Sequence, residues 1–542
     1  MRVSDGLLNE GVSRRNFLAG VGVGALGLAT VGLTACGGQP SKSEGAQDAD
    51  ADASEAAGAG SSTPGETVEA DVCVIGSGPS GLSAAIAAAE AGASVVVVEA
   101  LDDIGVCGHS ITAVGTPWQQ DLGITMTAEN LVDFWAAFDD PHQDRDLMLM
   151  VAGESANTIS WLGKQGVEFV GVTVPPTNPF QDPMCTMVTK GGRDGKASYL
   201  TPLKAKADEL GVSFRFGATA TGLVRDDSGA ISGVTADVKG GSISVNAKAT
   251  VLASGGFGSD AELVRLFAPR TPNSGDLTGV SHGFALRQAP RIGAQIAMPG
   301  GTQALFSNPN QAGNDLAGMG MFVTLDGKRF VNENRYTFDR SAIAFEQGIS
   351  RYWAIYDEPG SYALYNMSKD NFAKGIEAGT VTKADTVAEL AAAIGMNAAA
   401  LEQTVASYNA ACESGVDAEF GKPAKRTGRV SDPNKANEYD PDVIEREFTL
   451  LNPIATPPFY AVEMQASAAG VTGTQGGVKI DASTAVVGTS DEAIPGLFAA
   501  GEAANGQIFG YAYPQSGASL CMCFTLGRIA GDSAAAYAVA NA

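Results

Sequence analysis

The residues with the clearest chemistry lie between Asp71 and Glu99, in the run DVCVIGSGPSGLSAAIAAAEAGASVVVVE. Gly76, Gly78 and Gly81 stand in G-x-G-x-x-G spacing directly after the apolar run Val72–Ile75. The first glycine permits a tight turn, the second lets a pyrophosphate approach the backbone, and the third lets a helix pack closely on a strand. An alanine-rich helix is expected from Pro79 to about Ala91, its N-terminus offering unpaired N–H groups to phosphate oxygens. A second strand, Val95–Val98, ends at Glu99, an acid placed to accept hydrogen bonds from a ribose. Glycine spacing alone is weak evidence. Strand, helix and acid in this order make it a dinucleotide cradle.

The chain has 542 residues and a net charge of −25, enough length for about two to four domains. The acidic balance argues against nucleic acid as a partner. The seven cysteines include no C-x-x-C-H haem site and no spacing suited to an iron–sulfur cluster. Cys521 and Cys523 read as buried helix positions rather than metal ligands. With only three histidines, His109, His142 and His282, no histidine-based metal centre is expected.

Residues 1–36 read as a targeting segment. Ser13-Arg14-Arg15-Asn16-Phe17-Leu18 resembles a twin-arginine export signal, and Ala19–Leu33 is too short and glycine-rich for a comfortable membrane span. Leu33-Thr34-Ala35-Cys36 resembles a lipobox, which would make Cys36 the lipidated N-terminus; the other reading is the same signal with a chance cysteine. Residues 37–66 lack aromatic side chains and cannot bury enough apolar surface to fold. They read as a tether spanning roughly 30 Å as a flexible coil.

Further along, glycines at 105, 108 and 115 imply a loop that passes something closely. Residues 127–168 read as mostly helical, Leu203–Leu210 as a helix, and Val212–Phe216 as a strand. Gly222–Arg225 and Ile231–Val238 read as antiparallel strands, and Thr250–Gly258 as a buried strand entering a glycine loop. Gly283–Gly293 reads as a helix, and Met321–Val331 as a hairpin turning at Leu325–Lys328. Thr386–Cys412 reads as one helix, Phe459–Met464 and Leu497–Ala500 as strands, and about Gly517 to Tyr537 as a closing helix. The expected fold class is α/β: a dinucleotide-binding (Rossmann-like) domain, residues 67–300 and 452–542, with an inserted α+β cap over 301–451.

Five stretches in order resemble the flavoprotein family of fumarate reductase, succinate dehydrogenase, 3-ketosteroid dehydrogenases and enone reductases. They are DVCVIGSGPSGLSAA at 71–85, ASGGFGSD at 253–260, GKRFVNE at 327–333, TGTQGGVKID at 472–481, and IPGLFAAGEAANG with LGRIAG near the end. The resemblance spans roughly 69–538 and implies FAD, not NAD. It implies cofactor contacts at Gly76, Gly78, Pro79, Ser80, Gly81, Glu99, Ala100, Ala220, Ala253, Ser254 and Gly255. It sets Gly108, His109, Ser110 and Gly115 along the flavin ring. Gly501 and Glu502 fall near the ribityl–phosphate region, and Gly517, Ser519 and Leu520 near the pyrimidine edge. The cap would close over the flavin and hold substrate between the two.

The departures from the family narrow the substrate. Thr472 and Gly473 stand where fumarate reductases have a His, and Thr337 and Phe338 where they have an acidic-role Arg. Arg335 and Arg340 are near but out of register. An aromatic loop, Tyr511-Ala512-Tyr513, replaces the C-terminal Arg that clamps a carboxylate. Tyr513 and Gly517, four apart before a helix, match the pair that binds the substrate ketone in 3-ketosteroid dehydrogenases. The resemblance thus implies reduction, or the reverse dehydrogenation, of a carbon–carbon double bond conjugated to a carbonyl. Hydride comes from flavin N5, Tyr513 and Gly517 steady the enolate, and Tyr336 or Tyr511 delivers the proton. The alternatives are a fumarate-reductase-like enzyme using Arg335 or Arg340, and a flavoprotein that only relays electrons. A membrane-linked or small carrier would donate electrons, since no second redox centre is visible.

Overall fold

Val72–Ile75 and Val95–Val98 are apolar at every position, as parallel strands covered on both faces must be. Both runs are buried and pair in parallel, Val72 beside Val95 and Ile75 beside Val98. The computed structural model describes residues 65–136, 140–173, 185–192, 194–269, 279–309, 320–335, 337–357, 369–430, 444–510 and 513–541. The expected export signal and nearly all of the expected tether lie outside the described residues.

The two runs belong to β1 (Glu66–Ile75) and β2 (Val95–Val98) of an eight-stranded sheet that also takes β3 (Ser213–Arg215), β4 (Thr219–Arg225), β5 (Ile231–Val238) and β6 (Gly241–Leu252). From edge to edge its main path is Ala485–Val487, Ala493–Ala499, β6, β1, β2, β3. One edge of β6 is shared: β5 pairs with its first half and Ala493–Ala499 with its end. Strands from the N-terminal part of the chain and from near its end therefore join one sheet. Helix α1 (Pro79–Glu90) and the closing helix, Ala518–Ala540, touch backbone to backbone. A Cβ on Gly527 or Gly531 would overlap the carbonyl oxygens of Ser80 and Ala84, which explains the two glycines of LGRIAG.

A second sheet holds β7 (Ile296–Ser307), β8 (Met321–Val323), β9 (Arg351–Asp357), β10 (Val381–Ala384) and β11 (Phe459–Val478). Its order is β7-β11-β9-β8, with β10 also on β11. Thus it draws on residues either side of the limits 301 and 451 expected for the cap. The sequence reading stopped the last strand at Met464, whereas β11 continues to Val478. Glycines at 473, 476 and 477 erase the alternation that marks a strand. Close packing demands them: a Cβ on Gly477 would overlap the Ala503 carbonyl oxygen. The expected helix Thr386–Cys412 is two helices, Val387–Ala393 and Ala398–Ser414, broken at Gly395 with φ +72 and restarted by the Asn397 cap. The turn at Leu325–Lys328 is as expected, Thr324 N–H donating to Lys328 O at 2.9 Å.

The RF-x-NE run is buried inside this second domain. Arg329 Nε and Nη2 donate to the Glu333 carboxylate at 2.9 and 2.8 Å, and Nη1 and Nη2 to Asp417 at 3.0 and 2.8 Å. Lys422 Nζ lies 3.6 Å from Glu333 Oε2 and donates to Tyr408 Oη at 2.9 Å and Gly320 O at 2.8 Å. Burial pushes both carboxyls upward; for Glu333 the charges of Lys422 and Arg329, and for Asp417 the Arg329 guanidinium, outweigh it and hold them below the ordinary range. Carboxylates lowered by folding stabilise the native state above their unfolded pKa, and that contribution is lost as pH falls through the folded value. Glu333→Gln leaves Arg329 and Lys422 underpaired in the interior. It is expected to cost about 3–5 kcal/mol, read from urea unfolding at pH 7. The deficit should shrink as the wild type is titrated below about pH 4. An unchanged urea midpoint would show the cluster to be energetically idle.

Candidate functional site

Two of the three cradle glycines are demanded by the fold itself. Gly76 has φ +101, and a Cβ there would overlap the Ala253 carbonyl oxygen; a Cβ on Gly81 would overlap the carbonyl oxygen of Gly76. Gly78 differs. Its backbone is ordinary, φ −72, and a Cβ there would meet nothing within 4 Å. The chain gains no packing from that missing side chain. Helix α1 starts at Pro79 with no acid in its first turn, leaving its N-terminal field open to an anion.

Several of the remaining candidate residues lie against this strand–turn–helix unit. Glu99 is buried, its Oε2 accepting from Ser77 N–H and Ser77 Oγ at 2.7 Å each and its Oε1 from Leu101 N–H at 2.9 Å. The side chain is thus pinned at the end of β2. Ser254 follows β6 beside Gly76, and its buried hydroxyl has no hydrogen-bond partner among the described residues, a cost unless a ligand supplies one. Ser80 abuts Gly501, whose φ is +71. Gly255 has φ +72. Ala253 is buried, Ala220 half-buried on β4, and Ala100 exposed. Glu502 reaches the Thr474 N–H at 3.3 Å, and Cβ atoms on Gly256 or Gly473 would lie 2.6 Å from its carboxylate.

The loop through Gly108, His109, Ser110 and Gly115 is held from behind. Tyr199 Oη donates to His109 O at 2.9 Å, and Ala113 N–H to Cys185 O at 2.8 Å. Gly108 has open space where a side chain would be; Gly115 has φ +76 with the same open space.

At the head of the closing helix the structure brings Tyr513, Gly517, Ser519 and Leu520 together. The Tyr513 ring is buried edge-on to Phe509, centroids 5.3 Å apart. Its Oη accepts the Ser519 N–H at 3.0 Å, with the Gly517 N–H also directed to it. Burial pushes its ionisation well above the usual tyrosine value, so the hydroxyl stays protonated and is a donor at neutral pH. Gly517 has φ +88, and a Cβ there would sit 2.7 Å from Thr112 N, so only glycine fits. Leu520 is buried, and Ser519 Oγ lies 3.9 Å from Cys523 Sγ. Tyr336 and Tyr511 lie outside the described residues.

Arg340, one candidate for an acidic role, lies inside the second domain. It stacks over Phe322, 5.3 Å from the ring centroid, and donates to the Glu333 carbonyl oxygen. Several residues of the site have no motif to announce them. Gln515, Thr112 and Trp135 form a buried network under the Tyr513–Gly517 turn. Gln143 Nε2 donates to the carbonyls of Ile508 and Phe509 at 3.3 Å, bracing the approach to Tyr513. These are neutral polar residues without periodicity, and nothing local marks them.

Known proteins resemble this chain in sequence and fold. Over 500 residues the chain is 28% identical to a probable fumarate reductase of Shewanella frigidimarina, covering 88% of this chain and 76% of that protein. A digoxin reductase of Eggerthella lenta is 25% identical over 592 residues, covering 98% of each. Among solved structures, a 3-ketosteroid-Δ4-(5α)-dehydrogenase of Rhodococcus jostii, in complex with 4-androstene-3,17-dione, superposes with a TM-score of 0.67 at 26% identity. That match covers 86% of this chain and 97% of that one. The FAD binding domain family matches residues 71–520. The chain belongs to that family, as a flavoprotein oxidoreductase acting on carbon–carbon double bonds with FAD as its cofactor.

Proposed function

We propose that this protein is an exported reductase of a carbon–carbon double bond conjugated to a carbonyl, or its reverse dehydrogenase, acting on a ring-bearing or apolar enone. The observation that carries this reading is the buried Tyr513 at the head of the closing helix, beside Gly517; its Oη accepts the Ser519 N–H and keeps its own proton for donation. Gly76, Gly78, Ser80, Gly81, Glu99, Ser254 and Gly255 would hold the adenosine diphosphate part of FAD. Gly108, His109, Ser110, Gly115, Glu502, Ser519 and Leu520 would line its flavin end. When bound, FAD supplies the two-electron hydride chemistry. The chain supplies the rest. Tyr513 and Gly517 hold the carbonyl oxygen and stabilise the negative charge that develops on it. Tyr336 or Tyr511 gives the proton to the α carbon.

A carboxylate closed into this site without a cation would be costly, and Arg340 is engaged inside the second domain. Similarity to the digoxin reductase and the ketosteroid dehydrogenase supports an enone; similarity to the probable fumarate reductase supports a small unsaturated acid. Single-turnover reoxidation of the reduced protein decides between them, with 4-androstene-3,17-dione, cyclohex-2-enone and fumarate as acceptors. An enone should react fastest. A faster reaction with fumarate would overturn this reading.

Export and lipid anchoring rest on Arg14, Arg15 and Cys36. Arg14→Lys with Arg15→Lys should hold the protein in the cytoplasm, and Cys36→Ser should move it from membrane to soluble fractions. Unchanged fractionation of both variants would remove this part of the proposal. Electrons would come from a membrane-linked donor or a small carrier within reach of the tether.

A further inference from the structure

Between Tyr513 and Gly517 lies Gln515, buried to 2% exposure, and its amide is committed at both ends. Its Oε1 accepts from Trp135 Nε1 at 3.2 Å; its Nε2 donates to Thr112 Oγ1 at 3.0 Å and approaches Cys185 Sγ at 3.0 Å. Thr112 continues the stitching: its Oγ1 donates to Ser516 O at 2.9 Å, and its N–H donates to Gly517 O at 3.1 Å. One threonine therefore bonds three consecutive residues, 515, 516 and 517. It sits, fully buried, within the loop that runs from Gly108 to Gly115.

We propose that Thr112 and Gln515 are positioning residues that fix the Tyr513–Gly517 pair to the Gly108–Gly115 loop, so that the carbonyl donors and the cofactor-facing loop keep one mutual geometry. The inference rests on the proposed role of that pair. The Gly517 N–H direction is set by the peptide plane of Ser516–Gly517, and Thr112 clamps that segment from both sides, at Ser516 O and Gly517 O. Tyr513 enters the same turn two residues before Gln515, so a shift of the amide moves both donors. A neutral amide does this without adding a buried charge near a developing oxyanion. The clamp crosses about four hundred residues of sequence, the Gln515–Thr112 separation being 403. It is therefore a tertiary device, independent of the helix that follows. The competing view is a satisfied buried glutamine that stabilises the fold and nothing more.

The test uses the FAD-loaded protein and whichever acceptor reoxidises the wild type fastest. Thr112→Val keeps the shape and removes the hydroxyl; Gln515→Met keeps the volume and removes the Oε1 acceptor and the Nε2 donor; Trp135→Phe keeps an aromatic ring and removes the Nε1 donor. Thr112→Val and Gln515→Met should each slow the chemical step roughly 10- to 100-fold, the scale of a misplacement near 1 Å. FAD content and substrate saturation should be retained, and Thr112→Ser should restore most of the rate. In a Tyr513→Phe background the same changes should add less than about 3-fold, because coupled residues are not additive. If Tyr513→Phe is slow while Thr112→Val, Gln515→Met and Trp135→Phe all match the wild type, the positioning role is wrong and the proposed function stands. If their losses add fully to that of Tyr513→Phe, they act on the fold alone and the inference also fails. If Tyr513→Phe itself is as fast as the wild type, the reading beneath the inference is the part that fails.

Discussion

Tyr513→Phe is expected to slow substrate-driven reoxidation of the reduced protein by roughly 100-fold or more, the cost of losing one preorganised oxyanion donor. The ring remains, so its edge-on contact with Phe509 persists and the buried core keeps its packing. The lost atom is the Oη that accepts the Ser519 N–H. That N–H stands at the first turn of the closing helix, where four donors have no intrahelical partner anyway. Stability and FAD content should therefore change little, while the rate falls. Burial holds the Tyr513 hydroxyl protonated beyond the usual tyrosine range. The wild-type rate should accordingly show no loss through Tyr513 ionisation as pH rises toward about 10, where a solvent-exposed tyrosine would titrate. Stopped-flow traces at several pH values give both results. A Tyr513→Phe variant as fast as wild type on every acceptor would remove the donor role. Tyr336→Phe should cost on the order of 100- to 10,000-fold if Tyr336 delivers the proton, with a solvent isotope effect that Tyr513→Phe lacks.

Gly78→Val should yield folded protein without flavin. The open space at Gly78 means that a side chain there strains nothing in the chain. It fills the position where the pyrophosphate must approach the backbone. Affinity should fall by at least about 100-fold, ~2.7 kcal/mol, enough for FAD to be lost during purification. Gly81→Val is the contrasting control. Its Cβ would overlap the Gly76 carbonyl oxygen, so the turn between β1 and α1 cannot close and the protein should fail to fold. Flavin absorbance per protein, with circular dichroism for the fold, separates the two. Stoichiometric yellow protein from Gly78→Val would contradict the cradle assignment at its centre.

The contrast between these glycines shows what a sequence can carry. Gly76, Gly78, Gly81 and Glu99 lie within one strand–turn–helix–strand unit of about 30 residues, where turn geometry, helix start and strand alternation are local properties. Their spacing sufficed to name the cradle, and five short motifs in order sufficed to name the family. Only the structure distinguishes Gly78, whose missing side chain leaves open space, from Gly81, whose missing side chain lets the Gly76 carbonyl approach. The same division runs through the rest of the molecule. Tyr513 and Gly517, four residues apart, were singled out by the resemblance to 3-ketosteroid dehydrogenases. Their support was not, because Gln515 meets Thr112 across 403 positions and Trp135 across 380. Arg329 and Glu333 sat in a visible motif, yet their partners Asp417 and Lys422 come from beyond the helix Ala398–Ser414. Arg340, near the family's Arg position but out of register in the sequence, stacks on Phe322 in the structure. β11 was half invisible because its glycines remove the side chains from which a strand is read. Local propensity and motif spacing determined the elements and the cofactor. Which buried polar groups meet was decided by tertiary packing, because each must find a partner wherever the folded chain brings one.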